Sequence, residues 1–212
     1  MRDIYLYEGT DILKNLLDIR DRTLLNEAEA DYVTYRLKEI AKNPLHGDYD
    51  YVHLLKMHKY IFQDLYEWAG QQRKLNIYKE EAVLGGLSID YSDVFDIPRD
   101  AESVLSEMRN KNWSVMNIHD SAVQFSDSLA KLWRVHPFRE GNTRTTVTFC
   151  CQYADAVGLN PDRKLFEDNA QYVRTALVAY NAVFDDIGDV SKPEYLIKIV
   201  EDAISRGKQE CV

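Results

Sequence analysis

The ten residues HPFREGNTRT, from His136 to Thr145, bring together a histidine, a carboxylate, a glycine, an asparagine and two arginines. A connection that served only packing would need none of these side chains. Helical periodicity precedes and follows the stretch, which predicts that it joins two buried helices. The first is expected to end at His136-Pro137, because a residue before proline disfavours the helical conformation. The second is expected to begin near Asn142 and to stop at Gly158.

Helical periodicity also dominates the rest of the 212 residues, and it predicts an all-α fold. The helix before the loop is predicted at Ile118 to His136. Further helices are predicted at Thr23 to Ala41, Asp50 to Gly70, Pro98 to Asn110, Asp162 to Phe184 and Pro193 to Arg206. Strand-like residues are confined to Arg73–Tyr91, on both sides of Gly85-Gly86, which predicts a β-hairpin or an extended flap there. Since the chain has no internal repeat and no Pro/Gly/Ser-rich linker, we expect one domain.

Composition argues against several classes of function. The formal net charge of -9 disfavours broad electrostatic binding to DNA or RNA, which requires clustered cations. No stretch approaches the roughly 20 apolar residues of a membrane-spanning helix. The N-terminal stretch MRDIYLYEGTD lacks the basic start and apolar run of a secretory signal, so a cytoplasmic location is predicted.

The cysteines give no sign of a disulfide framework or a zinc site. There are three of them, an odd number, and the adjacent Cys150 and Cys151 lack the CxxC spacing of zinc ligands. We interpret them as reduced packing residues.

The predicted helix start at Gly141–Thr145 is suited to holding an anion, since the first turn of a helix leaves backbone N–H groups unpaired. Gly141 permits close approach, Asn142 can cap the helix or donate to an oxygen, and Arg144 offers a planar fork of donors. Phosphate is therefore the expected ligand. Glu140 would repel a phosphate unless a cation lay between them, and one carboxylate plus substrate oxygens commonly hold Mg²⁺.

His136 is the predicted general base of this loop. An imidazole with an ordinary pKa of about 6.5 can accept a hydroxyl proton at neutral pH. Together these residues predict in-line attack of a hydroxyl on a phosphorus, with charge stabilised by the metal, by Arg144 and by the helix terminus.

The stretch closely resembles the signature of Fic proteins, His-Pro-Phe-x-(Asp/Glu)-Gly-Asn-Gly-Arg-x-x-Arg. The resemblance extends to YLYEGTDIL, beginning at Tyr5, and to LHGDYDYVHLLKMHKYIFQDLYEWAGQQRKLNI, residues 45–77, and covers most of the chain. It implies a Fic fold, a multi-helix bundle with a β-hairpin flap over the active-site loop. Its parts would be an N-terminal helical region (1–48), the Fic core (49–186) and a C-terminal helix (187–212).

The resemblance also implies an activity, the transfer of AMP from ATP to a hydroxyl side chain of a protein target, with release of pyrophosphate. By position, His136 would be the base, Glu140 the Mg²⁺ ligand and Phe138 the anchor of the loop in the core. Asn142 and the loop backbone would hold the α-phosphate, and Arg144 would contact the β- or γ-phosphate. The implied nucleotide contacts are Gly141, Asn142, Thr143, Arg144 and, for adenine, Asn169 and Tyr172. The flap would bind an extended target segment through main-chain hydrogen bonds at Lys74, Leu75, Asn76 and Ile77.

Two positions depart from the signature. Thr143 replaces a glycine, so either this position is already helical or the loop is reshaped, since a β-branched residue resists positive φ. Val147 replaces the second arginine, which removes a γ-phosphate contact. In the family that arginine pairs with an inhibitory glutamate of a Ser/Thr-x-x-x-Glu helix, supplied by the same chain or by an antitoxin. Thr23 to Glu27 matches that pattern on a predicted N-terminal helix, although a plain capping box explains it equally well.

Several interpretations stay open at this stage. Beside adenylyl transfer stand phosphotransfer or another nucleotidyl transfer on the same fold, and a nucleotide-binding Fic protein with weak catalysis. His53 and His58 lack HExxH spacing, and we interpret them as core or boundary residues rather than metal ligands. The expected ligands are ATP, Mg²⁺ and a protein target, without nucleic acid or membrane. The sequence leaves open an antitoxin, an inhibitory helix of the same chain and a homo-oligomer.

Overall fold

The computed structural model describes residues 3–210, and these residues form eight α-helices and one short antiparallel hairpin. The helices are α1 (Arg22–Lys42), α2 (Tyr51–Phe62), α3 (Ile97–Asn110), α4 (Ile118–Val135), α5 (Asn142–Ala156), α6 (Arg163–Asp168), α7 (Ala170–Tyr180) and α8 (Pro193–Glu210). The strands are β1 (Val183–Phe184) and β2 (Gly188–Asp189), and single 3₁₀ turns lie at Ala82–Leu84 and Trp113–Val115. The all-α prediction is therefore confirmed. In the described part of the chain, no helix is both apolar enough and long enough to span a membrane.

Capping side chains set the first residue of several helices. Asp21 before α1, Asp50 before α2 and Asn117 before α4 each accept a hydrogen bond from a backbone N–H of the first turn. This satisfies one of the donors that a helix start leaves unpaired. The predicted start of the second helix is confirmed, with Asp50 as its cap.

The predicted end of the second helix at Gly70 is wrong. α2 ends at Phe62, and the chain continues through turns in which the N–H groups of Leu65 and Tyr66 both donate to the Phe62 carbonyl. Leu65, Tyr66 and Trp68 are nevertheless buried. Apolar spacing reported their burial correctly, but periodicity alone does not distinguish a buried turn from a buried helix.

The prediction of one helix from Asp162 to Phe184 is also wrong. Asn169 leaves the helical conformation at φ -119° and ψ 30°, and its amide nitrogen donates to the Leu165 carbonyl at 2.8 Å. An asparagine side chain competes with the helix for backbone groups, so the helix breaks into α6 and α7. Near the C-terminus, α8 extends beyond the predicted Arg206 to Glu210.

The flap (residues 73–91) folds back on itself without paired strands. The Glu81 N–H donates to the Leu87 carbonyl at 3.0 Å, and the Lys79 N–H donates to the Ser88 hydroxyl at 3.1 Å. Hydroxyl and turn contacts thus replace a strand ladder, and the chain reverses through the two positive-φ glycines of the predicted turn. The hairpin of this fold lies instead at β1 and β2, where Val183 faces Asp189.

Helix α4 lies at the centre of the packing. It contacts α3, α5, α7 and α8, while α2 packs on α1, α3 and α5. The buried apolar residues of these helices form one connected cluster, which includes Phe62, Phe125, Trp133 and Phe149. The joint between α4 and α5 (residues 136–141) therefore starts and ends in packed helices, which gives its residues a rigid support.

His58 ties α2 to this joint. Its Nδ1 accepts a hydrogen bond from the Gly70 N–H at 2.8 Å, and its Nε2 lies 3.1 Å from the Glu140 carbonyl. Only the neutral tautomer with a proton on Nε2 satisfies both contacts. Burial lowers the pKa of His58 to about 3, which keeps the ring neutral. His53 is buried as well, so the prediction that these histidines are core residues is confirmed.

The cysteines Cys150 and Cys151 are free and buried in α5. Burial raises the pKa of Cys151 to about 12, so it remains a protonated thiol at neutral pH. Both behave as the packing residues that the sequence predicted.

We expect Phe138→Ala to lower the free energy of unfolding by about 3–5 kcal/mol. Phe138 is fully buried, and its ring stacks on His58 with centroids 3.8 Å apart. Phe95→Ala is the matched control, because that ring is 89% exposed and its removal should change stability by less than about 0.5 kcal/mol. Denaturant titrations of both variants measure the difference, and equal midpoints would contradict the anchoring of the joint by Phe138.

Candidate active site

His136 ends α4 in the left-handed conformation, with φ 50° and ψ 58°. This region is uncommon for a residue other than glycine, and a following proline favours extended backbone instead. The His136 N–H donates to the Trp133 carbonyl at 3.1 Å, which closes the last turn of α4. The unusual conformation turns the chain sharply toward α5, and it is held there by tertiary contacts.

Arg73 supplies those contacts. Its guanidinium is buried, with the residue 1% exposed, and its Nε donates to the His136 carbonyl at 2.9 Å. Its backbone N–H donates to the Pro137 carbonyl at 2.8 Å. The other guanidinium nitrogens donate to the carbonyls of Leu75 and Ser92, near the two ends of the flap. One buried side chain thus fixes the turn and the root of the flap together.

The His136 ring presents a free nitrogen. Its Nδ1 lies 3.3 Å from the Trp133 carbonyl, which can only accept, so Nδ1 carries the proton. Its Nε2 is buried and has no hydrogen-bond partner within residues 3–210. The ring packs against Tyr91 at 4.1 Å and edge-on against Trp133 at 5.3 Å. Burial lowers the pKa of His136 well below its ordinary value, and Lys79 lowers it further. The imidazole is therefore neutral at pH 7, with an available lone pair on Nε2.

The Asn142 side chain stabilises the loop through two hydrogen bonds to the backbone of Phe138. Its Oδ1 accepts a hydrogen bond from the Phe138 N–H at 2.9 Å, and its Nδ2 donates to the Phe138 carbonyl at 2.7 Å. Gly141 is the cap residue of α5 and has no side chain to satisfy the first-turn N–H groups. These N–H groups lie at the cleft and remain suited to an anion.

Gly141 is required by packing as well as by conformation. Its φ is 80°, and a Cβ at this position would lie 2.2 Å from the Phe62 ring. The sequence suggested that the missing side chain admits a ligand. In the structure, the neighbour that needs the space is a core aromatic ring.

Glu140 carries an ionised carboxylate. Its Oε1 accepts a hydrogen bond from the Gly141 N–H at 2.9 Å, and its Oε2 lies 3.6 Å from Lys79 Nζ. Burial raises the pKa of Glu140, but Lys79, the Gly141 N–H and Arg144 together lower it more, so that the net pKa is below its ordinary value. The carboxylate stays charged at neutral pH.

The two departures from the Fic signature lie in regular helix. Thr143 belongs to the first turn of α5, and its hydroxyl accepts a hydrogen bond from Trp133 Nε1 at 2.9 Å. The sequence left two alternatives, a helical position 143 or a reshaped loop, and the structure shows the first. Val147 lies one turn further on, half-buried against the core.

Arg144 is already paired with a carboxylate of α1. Its guanidinium lies 2.5 Å from Glu29 and 3.8 Å from Glu140, above the face of the Phe62 ring at 5.0 Å. The second oxygen of Glu29 accepts a hydrogen bond from the Tyr66 hydroxyl. An element of the same chain therefore neutralises the arginine that the sequence assigned to phosphate.

The structure does not bring the predicted inhibitory pair, Thr23 and Glu27, to the loop. Both residues are exposed on α1, and the contact with Arg144 is made by Glu29. Two residues along a helix correspond to a rotation of about 200°, which places Glu27 on nearly the opposite face from Glu29. A capping pattern at the helix start could not reveal which face α1 turns toward α5.

A cleft of about 250 Å³ opens between this loop, the flap and α7. It is lined by the predicted residues His136, Glu140, Gly141, Asn142, Thr143 and Arg144, together with Lys79, Trp133, Ala170, Gln171 and Arg174. Sequence reasoning missed Lys79 and Arg174. Arg174 makes two 2.8 Å contacts with the buried Glu81, 93 positions earlier in the chain. A pairing across such a separation leaves no local pattern in the sequence.

Asn169 and Tyr172 are not part of this cleft. Asn169 is exposed at the break between α6 and α7. Tyr172 lines a second, more apolar pocket of about 520 Å³, in which flap residues Val83 and Leu84 face α7 and α8. The sequence prediction for Tyr172 thus leads to a second pocket that borders the same helix, α7.

The predicted target-binding residues lie in the first part of the flap, residues 74–78, which is called the flap arm here. Lys74 and Asn76 are exposed, whereas Leu75 and Ile77 are half-buried, which is the alternation of an extended chain. Asn76 anchors the arm, because its Oδ1 accepts a hydrogen bond from the Val94 N–H at 2.8 Å and another from Arg73 at 3.2 Å. The backbone N–H groups of residues 75–78 have no acceptor in the described part of the chain. This arm is an extended stretch of chain with unpaired backbone donors.

Comparisons with known proteins point to one family. The model of the Fic/DOC family matches residues 48–154. A probable protein adenylyltransferase, y4lH of Sinorhizobium fredii, is 31% identical over 79% of this chain and 83% of its own length. The protein adenylyltransferase VbhT of Bartonella schoenbuchensis is 29% identical over 76% of this chain, which spans about a third (32%) of VbhT. The solved structure of BepC from Bartonella tribocorum with bound AMPPNP shares the fold, with a TM-score of 0.75, 22% identity, and coverage of 94% of this chain and 95% of that chain.

We expect Gly141→Ala to destabilise the protein more than Gly158→Ala. Both glycines have φ 80°, so each substitution carries the same left-handed backbone cost of about 1–2 kcal/mol. At Gly158 a Cβ meets nothing within 4 Å, whereas at Gly141 it meets the Phe62 ring. The overpacking should add about 1–3 kcal/mol. Calorimetry of the two variants isolates this difference, and equal losses would show that the Phe62 contact does not restrict the joint.

Proposed function

The chain belongs to the Fic/DOC family, and we propose that it is a protein adenylyltransferase. It transfers AMP from ATP to a hydroxyl side chain of a protein target, itself included, and releases pyrophosphate. The observation that carries the proposal is the buried, unpartnered Nε2 of His136, which lines a cleft at the start of α5.

His136 acts as the general base. Its ring is neutral, so Nε2 accepts the proton of the target hydroxyl as that oxygen attacks the α-phosphorus. A bond forms between the hydroxyl oxygen and phosphorus, and the bond from phosphorus to the pyrophosphate oxygen breaks. Nδ1 keeps its proton and donates it in the hydrogen bond to the Trp133 carbonyl, which keeps the accepting nitrogen aimed at the cleft.

The start of α5 binds the phosphates. Its first-turn N–H groups and the partial positive charge of the helix end favour an anion. Arg144 adds a planar cation beside them, once it releases Glu29. Asn142 contributes by holding the loop in shape through Phe138, so that these donors are fixed before the nucleotide arrives.

Glu140 fits the role of Mg²⁺ ligand. It is ionised, and Mg²⁺ is commonly held by one carboxylate together with phosphate oxygens and water. Such a site needs no cluster of acidic residues, and residues 3–210 contain no group of three or more His, Cys, Asp or Glu that could hold a metal. When bound, Mg²⁺ neutralises part of the phosphate charge.

The second pocket suits the adenine. It is apolar, it borders the same helix as the cleft, and Tyr172 offers an aromatic face there. Asn169 has its amide nitrogen on the Leu165 carbonyl and lines neither the cleft nor the second pocket, so it has no part in this proposal.

The flap arm positions the target. The unpaired N–H groups of residues 75–78 can add an extended target segment as a neighbouring strand. The predicted contacts are made by the backbone of Lys74, Leu75, Asn76 and Ile77. Main-chain pairing fixes the register of the segment without reading its side chains, so the acceptor hydroxyl is selected by its position.

Inhibition comes from within the chain, through α1. Glu29 holds Arg144 in an ion pair that a phosphate must replace. Either nucleotide binding itself or a partner protein that contacts α1, such as an antitoxin, shifts this balance.

Label transfer tests the reaction. Incubation with ATP labelled at the α-phosphorus should label the purified protein or proteins of a cell extract, whereas ATP labelled at the γ-phosphorus should not. His136→Ala should lower the rate about 10²–10⁴-fold, the range typical of a general base. His46→Ala serves as the control, because His46 is an exposed histidine outside the cleft. Transfer of the γ-label would instead establish phosphotransfer, and nucleotide binding without either label would establish a binding protein.

Glu29→Gln should tighten the binding of ATP about fivefold. The substitution removes the charge that competes with phosphate for Arg144, and an ion pair of this exposure is worth about 1 kcal/mol. Glu27→Gln, on the opposite face of α1, should leave the affinity unchanged. Titration calorimetry with a non-hydrolysable ATP analogue measures both, and equal affinities of the two variants would exclude Glu29 as the inhibitory group.

A further inference from the structure

Three cationic side chains line the cleft, as far as the described residues show, and they are not equivalent. Arg144 is neutralised by Glu29 at 2.5 Å, and Arg174 is neutralised by Glu81 through two contacts of 2.8 Å. The third cation is Lys79 of the flap. Its ammonium lies 3.6 Å from Glu140, beyond hydrogen-bond length, and it finds no hydrogen-bond acceptor among residues 3–210. Lys79 is the least neutralised cation of the site.

The flap holds Lys79 in a defined place. Its backbone N–H donates to the Ser88 hydroxyl at 3.1 Å. Two residues further on, the Glu81 N–H donates to the Leu87 carbonyl and closes the turn of the flap. Burial alternates along the flap arm, and Lys79 lies on the same partly buried side as Leu75 and Ile77. Its side chain is 25% exposed. The ammonium is therefore directed across the cleft toward the start of α5 rather than into solvent.

The opposite wall lacks positive charge beyond its first turn. Arg144 is the only cation of α5, and Val147, three residues on and on the same face of the helix, is packed against the core. A polyphosphate carries several negative charges, and the helix start with one arginine compensates only part of them. Lys79 lies on the flap side of the cleft, where its charge can meet part of the remainder.

We infer that Lys79 is a polyphosphate ligand of this site, which supplies from the flap the charge that α5 does not provide. The inference rests on the proposed nucleotide-binding function and adds a specific contact to it. Without nucleotide, Lys79 pairs loosely with Glu140. When a polyphosphate enters, the ammonium binds its oxygens, and the carboxylate of Glu140 becomes available to a metal ion.

Titration calorimetry of Lys79→Ala, Lys79→Gln and Lys79→Arg tests this, with ATP, inorganic pyrophosphate and adenosine as probes. Lys79→Ala and Lys79→Gln should weaken ATP and pyrophosphate about tenfold, the loss expected for one charge-assisted hydrogen bond. Adenosine affinity should not change, and Lys79→Arg should retain ATP binding within about threefold. Lys56→Ala is the matched control, because it removes an exposed lysine of α2 that does not line the cleft.

Two results would overturn the inference. One is an unchanged affinity of Lys79→Ala for ATP and pyrophosphate. The other is an equal loss for adenosine, because a distorted flap rather than a missing charge would then be the cause. Failure of the unsubstituted protein to bind ATP would refute the proposed function instead. In that case pyrophosphate still tests Lys79, and a protein that binds neither probe would refute both.

Discussion

The site depends on one buried guanidinium. Among residues 3–210, Arg73 has no carboxylate within ion-pair distance, and burying an unpaired charge is costly unless hydrogen bonds replace its water. Carbonyl groups from the α4–α5 joint and from near both ends of the flap provide that replacement. The left-handed His136, the sharp entry into α5 and the root of the flap must therefore be assembled together, because the arginine is satisfied only when all are in place. The position of the flap and the orientation of His136 are consequently coupled through Arg73.

The positive charges of the cleft are balanced by nearby carboxylates. Each cation that could meet a phosphate has a carboxylate of the same chain nearby: Arg144 has Glu29, Arg174 has Glu81 and Lys79 has Glu140. The pairs hold the side chains in place without ligand, and a ligand must compete with them. Their strengths differ, since two are hydrogen-bonded and the third is not. The pair of Lys79 and Glu140 is therefore the loosest of the three.

The sequence predicted the helices best where capping and apolar spacing agreed. The start of α2 at Asp50 and the continuous α4 followed from such agreement. Errors arose where burial continued beyond a helix, as after Phe62, or where a side chain diverted the backbone, as at Asn169. The flap was recognised as extended, but its Ser88 and turn contacts could not be distinguished from a strand ladder by residue type.

By itself, the sequence determined the loop from His136 to Thr145, the chemistry of its side chains and its place at the start of a buried helix. These properties depend on residues close together in the chain, whose hydrogen bonds and dihedral preferences act locally. Only the tertiary structure decided that Glu29 rather than Glu27 holds Arg144, that Arg73 fixes the turn, and that Lys79 and Arg174 complete the cleft. Each of those contacts joins elements far apart in sequence, and helix rotation and packing, which no local pattern encodes, select the partners.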